Sequence, residues 1–154
     1  MSTTAFVGVG SNLGNRKQII RQAEQKLSHV EDIRFIRSAP IYETQPVSGP
    51  KQDLFLNTVW EIETDLSAHQ LLVALFQIES DFGRLRLEKN GPRTIDLDLL
   101  LYGDAVIKEQ ALTIPHPRLH ERWFVLKPLW DLRSDYVHPV LKKSICELLD
   151  RVKP

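Results

Sequence analysis

The chain has 154 residues, its 20 Lys plus Arg balanced by 20 Asp plus Glu, which suits one domain (1–154) around one core and excludes a net field for a polyanion such as duplex DNA. The single cysteine, Cys146, can close no internal disulfide and matches no Cys/His metal spacing, as expected in a reducing compartment. No stretch approaches the roughly 20 apolar residues that span a bilayer, so the expectation is a soluble cytoplasmic protein acting on a small ligand, with no nucleic-acid or membrane partner.

Ala5 to Val9 is a short β-favouring run that exits into the turn-rich Gly8-Val-Gly10-Ser-Asn12-Leu-Gly14. That segment is not a dinucleotide fingerprint, because its third glycine falls one place late, and it reads as structural. From Arg16 to Val30, Ile19, Ile20, Ala23, Leu27 and Val30 recur at helical spacing and predict one buried stripe. Ile33 to Thr44 reads as a strand at a sheet edge, where Pro40 is tolerated. Leu54 to Thr64 alternates, with Leu56, Trp60 and Ile62 on one face and Phe55, Asn57 and Val59 on the other.

Ser67-Ala-His-Gln70 predicts a capping box opening a helix whose stripe is Leu71, Leu75, Ile78 and Phe82. Gly91-Pro92 breaks the chain before the strand Arg93 to Tyr102, in which Ile95, Leu97, Leu99 and Leu101 point one way. The order βαββαβ predicts an α+β fold, the ferredoxin-like plait, an antiparallel sheet with both helices on one face. The remaining stretch, with Pro115, Pro117, Pro128 and Pro139, predicts a loop-rich C-terminal extension with short helices. Nothing in it from Arg133 onward points to a function.

Strand period sends Asp96 and Asp98 out of the core together, Cα atoms about 6 to 7 Å apart. Such a pair can bridge two metal ions about 3.5 to 4 Å apart, and oxygen-only donors favour magnesium over zinc. A solvated strand face whose acids pair with surface Arg or Lys is the competing reading. Glu79, Arg84, Arg86, Lys89 and Arg93 crowd the segment before the pair. Arginine forks match phosphate oxygens, so an ATP-phosphate site stands against a merely charged loop.

Phe55 and Asn57 share a face on which a flat heteroaromatic ring can stack and be read by an amide, although both also suit a packed core. Phe124, beside Arg122 and Trp123, is either a second stacking ring or core. His116, in the rigid Ile-Pro-His-Pro, is a donor to a phosphate or nucleotide, or a buried structural histidine. The other histidines show no metal spacing. A metal-dependent nuclease and a nucleotide-sensing module would use the same acids and arginines; DNA or RNA cleavage, and ATP stabilisation without turnover, discriminate them.

Ordered motifs narrow the choice. Gly10-Ser-Asn-Leu-Gly-Asn15, Tyr42-x-Thr44, Phe55-Leu-Asn57, Ile78-Glu79, Gly83-Arg-x-Arg86, Gly91-Pro-Arg-Thr-Ile-Asp-Leu-Asp98, Ile114-Pro-His-Pro-Arg-Leu119 and Glu121-Arg-x-Phe-Val-Leu126 together resemble the 6-hydroxymethyl-7,8-dihydropterin pyrophosphokinases over some four-fifths of the chain. The resemblance implies transfer of the β,γ-diphosphate of ATP to the pterin hydroxymethyl group in folate synthesis, by a monomer with two magnesium ions. It implies that Asp96 and Asp98 hold the metals and contact the pterin hydroxyl, and that Arg84 and Arg93 are catalytic clamps on the triphosphate. Glu79, Lys89, His116 and Arg122 would line the nucleotide site, and Phe55 and Phe124 would sandwich a pterin whose edges meet Thr44, Val47 and Asn57. The chain departs from the family pattern where Asn90 replaces a Trp of some members, where Phe76 replaces a common Gln, and where Gly83 to Gly91 is one residue shorter than in those members.

Overall fold

The computed structural model describes residues 2–11, 16–44, 55–83 and 95–152. Its elements in chain order are β1 (Thr3–Ser11), α1 (Arg16–Ser28), β2 (Ile33–Ser38), β3 (Tyr42–Thr44), β4 (Phe55–Thr64), α2 (Ala68–Gly83), β5 (Asp96–Tyr102), β6 (Ile107–Lys108), β7 (Thr113–Ile114), α3 (Trp123–Arg133) and α4 (Ile145–Leu149), with a 3-10 turn at Leu119–Glu121. The main sheet is antiparallel, in the order β2-β4-β1-β5, with β3 also pairing β4. Among the described residues no helix is long and apolar enough to cross a membrane.

Alternation divides the apolar residues of the sheet between two cores. Ala5, Val7 and Val9 of β1, Leu56, Trp60 and Ile62 of β4, and Leu97 and Leu99 of β5 pack under α1 and α2 through Ile20, Ala23, Leu27, Leu71, Leu75, Ile78 and Phe82. Both helices therefore cover one face. Phe6, Val59, Leu100 and Leu101 occupy the other, under Val125, Leu126, Leu129 and Leu132 of α3 and Ile145 and Leu148 of α4. The capping box expected at α2 is formed: the Ser67 N–H donates to Gln70 Oε1 at 2.9 Å and the Gln70 N–H to Ser67 Oγ at 3.2 Å.

Three expectations need correction. The single edge strand from Ile33 to Thr44 is two strands, separated at Ala39-Pro40-Ile41, because Pro40 brings no N–H to a ladder. Leu101 does not share a face with Leu97 and Leu99. The pairing of β1 with β5 steps from Val7 opposite Leu99 to Phe6 opposite Leu101, so Leu100 is the extra residue of a bulge and Leu101 turns into the second core with it. The C-terminal stretch is also less loop-rich than its prolines imply, for α3 continues through Pro128 for 11 residues. The hydrogen bond lost there is outweighed by burial of the apolar face of α3 on the sheet.

Two polar devices fix the layers. Glu61, 6% exposed, accepts from Arg37 Nε at 2.9 Å and pairs with Arg133 at 3.6 Å, while Arg37 also donates to the Leu132 carbonyl at the end of α3. This satisfies a buried charge and ties β2, β4 and α3 together. On the outer edge of β5 the Leu97 N–H donates to Glu79 Oε2 at 2.7 Å, giving an unpaired ladder donor a strong acceptor.

Acid should loosen the layer that α3 and α4 form. Nδ1 of buried His138 accepts from the Val140 and Leu141 N–H groups at 3.2 and 3.1 Å. Burial, reinforced by His120, holds its pKa below the ordinary histidine value. The unfolded chain binds that proton more readily, so this contribution is complete above about pH 6.5 and shrinks as pH falls below it. Thermal melts across that range should show a falling melting temperature on acidification. His138→Asn, which keeps a side-chain acceptor without the charge, should flatten the slope, and an unchanged slope would remove His138 as its source.

Candidate active site

The second face of the sheet is not fully covered by α3. Between its N-terminal end and the strands lies a cavity of about 520 Å³, bordered by Gly8, Gly10, Thr44, Phe55, Asn57, Asp96, Asp98, Leu100, Arg118, Glu121, Arg122, Trp123, Phe124, Val125 and Val152, among others. This is within the size range of small-ligand sites. Its floor is the middle strand β1. There Gly10 stands opposite Asp96 on one side and Asn57 on the other, and Gly8 opposite Asp98 and Val59.

These glycines leave room between two chemically different walls. A Cβ on Gly10 would lie 3.2 Å from Asn57 Oδ1, and one on Gly8 would lie 3.3 Å from a Leu100 methyl. One wall carries carboxylates, Asp98 exposed and Asp96 half-buried. The other carries Phe55 and an oriented amide, because Asn57 Nδ2 donates to Thr44 Oγ1 at 2.6 Å. The roof brings Phe124, with the Arg122 guanidinium 5.6 Å from its ring centre. The arrangement offers aromatic surface at one end and paired oxygen donors at the other.

The structure thus brings Thr44, Phe55, Asn57, Asp96, Asp98, Arg122 and Phe124 to one cavity. His116 sits behind it, its N–H donating to the Leu100 carbonyl at 2.9 Å. Burial lowers its pKa most, Asp98 opposes that shift, and Arg122 and Arg118 add to it. Its Nδ1 accepts the Arg118 N–H at 3.2 Å, which leaves Nε2 as the donor of the neutral ring. Glu79 is not among the cavity residues; it serves the far edge of β5 as described above. Val47, Arg84, Lys89 and Arg93 lie outside the described residues.

Several cavity residues escaped the sequence reading. Gly8 and Gly10 alternate with core-facing Val7 and Val9, so strand period alone could have placed them on the site face. Arg118 and Glu121, paired at 3.3 Å, lie within motifs already singled out. Val152 carried no local signal.

A sequence profile of the 7,8-dihydro-6-hydroxymethylpterin-pyrophosphokinase (HPPK) family matches residues 6–134. The chain belongs to that family. It is 39% identical over 136 residues to the 2-amino-4-hydroxy-6-hydroxymethyldihydropteridine pyrophosphokinase of Haemophilus influenzae, covering 88% of this chain and 85% of that one. It is 42% identical to the folic acid synthesis protein fol1 of Pneumocystis carinii over 96% of its own length, but spans only 20% of that larger protein. A solved Plasmodium falciparum HPPK-DHPS structure superposes with a TM-score of 0.77 at 15% identity, covering 98% of this chain and 45% of the other, so the fold is shared even where most residues differ.

Within this HPPK chain the roof is held to the β3 side of the site by Tyr42. Its hydroxyl donates to Asp131 of α3, which also pairs with Lys127 at 3.3 Å, and its ring meets Trp123 edge-on at 5.6 Å. Burial first, then the Asp131 acceptor and its charge, push the phenol up to about 12. Tyr42→Phe should destabilise the fold by about 1 to 2 kcal/mol, read as a melting temperature lower by several degrees. An unchanged melt would show that this bond contributes nothing to docking α3.

Proposed function

We propose that this protein transfers the β,γ-diphosphate of ATP to the hydroxymethyl group of 6-hydroxymethyl-7,8-dihydropterin, releasing AMP, as one step of folate synthesis. The observation that carries the reading is the shared cavity, where Asp96 and Asp98 face Phe55, Asn57 and Phe124 across a glycine floor. Substrates are small molecules, and the enzyme acts as a monomer on a ferredoxin-like plait with its C-terminal extension laid over the second face.

In this mechanism the pterin ring lies between Phe55 and Phe124, its edges read by Asn57, Thr44 and Val47. Its hydroxyl is thereby aimed at the carboxylate end. The hydroxyl oxygen attacks the β-phosphorus and its proton is released to solvent, the bond from that phosphorus to the bridging α–β oxygen breaks, and AMP leaves with the electron pair. Arg84, Arg93 and Lys89 hold the triphosphate. Arg122 and the protonated Nε2 of His116 add donors on the nucleotide side, and Glu79 belongs to that side through its hold on β5.

Asp96 and Asp98 would hold two magnesium ions. Two carboxylates suit that hard cation, and no cluster of three or more His, Cys, Asp or Glu ligands occurs among the described residues, so phosphate oxygens and water would complete each shell. The metal, when bound, supplies neutralisation of charge on the transferring phosphates. Little else is asked of the protein than positioning and exclusion of water.

Asp96→Ala or Asp98→Ala should lower turnover about a thousandfold or more with the fold intact, and near-normal turnover with magnesium-ATP would overturn the metal assignment. The activity itself is tested by AMP release that requires the hydroxymethyl pterin; ADP release, or indifference to pterin, would refute it. Gly10→Ala should displace the Asn57 amide and raise KM for the pterin about tenfold, leaving KM for ATP nearly unchanged. Equal effects on both substrates would place Asn57 elsewhere in the mechanism.

A further inference from the structure

Residue 134 ends the family match, yet the cavity wall does not end there. Val152 borders the cavity together with Leu100, Phe124 and Val125 and is itself packed, half-buried, on the second core. Its position is built rather than incidental. Ser144 and Glu147 form a capping box that starts α4, Ile145 and Leu148 bury that helix on the sheet, and the Arg151 and Val152 N–H groups donate to the Leu148 and Leu149 carbonyls at 3.2 and 3.1 Å. A β-branched side chain held on such a backbone has little rotamer freedom and presents a fixed apolar surface.

We infer that Val152 is a specificity-determining residue for the ring-bearing substrate, setting how large a bicyclic ring the apolar end of the cavity admits. The inference rests on the pterin reading above and deepens it. Valine offers no hydrogen bond or charge, so its influence is steric, and it shares the cavity lining with the aromatic Phe124 and with Leu100. The segment that carries it lies beyond the matched family region.

The test compares wild type, Val152→Ala and Val152→Phe with the hydroxymethyl pterin and with an analogue bearing an added ethyl group on its reduced ring, measuring KM for ring substrate and ATP separately. Val152→Phe should raise KM for the unsubstituted pterin about tenfold or more, with KM for ATP unchanged. Val152→Ala should shift the kcat/KM ratio toward the ethyl analogue by about tenfold, the scale of one or two methylenes in an apolar pocket. A lower melting temperature with unaltered substrate ranking in Val152→Ala would make Val152 a packing residue only and overturn the inference, as would equal changes in KM for both substrates. Wild-type AMP release with pterin tests the underlying reading independently, since its absence would sink that reading whatever the variants do.

Discussion

The strand side chains around the cavity depend on the register of β1. This central strand pairs antiparallel with β4 and β5 at once, so one alignment sets which residues of three strands share a face. Gly8 and Gly10 are the consequence at the site: opposite them stand Asp98 and Asp96 on one strand, Val59 and Asn57 on the other. A slip of β1 by one residue would send Val7 and Val9 into the cavity, and the same slip made by β5 would send the acids into the core under α1 and α2. Burying two carboxylates without partners is costly enough to exclude that alignment.

The bulge at Leu100 completes this arrangement. Up to Leu99, β5 alternates between helix-side core and cavity, and the extra residue then turns both Leu100 and Leu101 to the second face. Without it Leu101 would return to the helix side and the second core would lose a contact with Phe6. The same face must hold α3, whose Arg133 meets buried Glu61 while its Asp131 takes the Tyr42 hydroxyl. Polar ties near the C-terminal end of the helix and the apolar stripe along it hold α3 on the second face.

Much of this was legible locally. The reciprocal Ser67–Gln70 bonds, the α2 stripe and the alternation of β4 follow from side-chain chemistry and period acting within a few residues, and the structure reproduces each. Where a local rule failed, a tertiary force had overruled it. Pro128 does not stop α3, because burial against the sheet exceeds the lost bond. Leu101 breaks the strand pattern because β5 carries one extra residue, Leu100, between the partners of Val7 and Phe6. Glu79 takes an edge N–H of β5, and no sequence pattern reveals which strand will lie at the edge.

By itself the sequence determined which residues alternate, where α2 begins, that Asp96 and Asp98 leave their strand together, and, through its ordered motifs, the family to which the chain belongs. These are properties of spacing along one element, set by backbone geometry. Only the tertiary structure decided that a glycine strand separates the acids from Phe55 and Asn57, that Tyr42 anchors the roof, and that Val152 completes the wall from the far end of the chain. Such neighbours meet through strand pairing and the burial of helix faces, forces that act across the fold and leave no periodic mark on the residues they join.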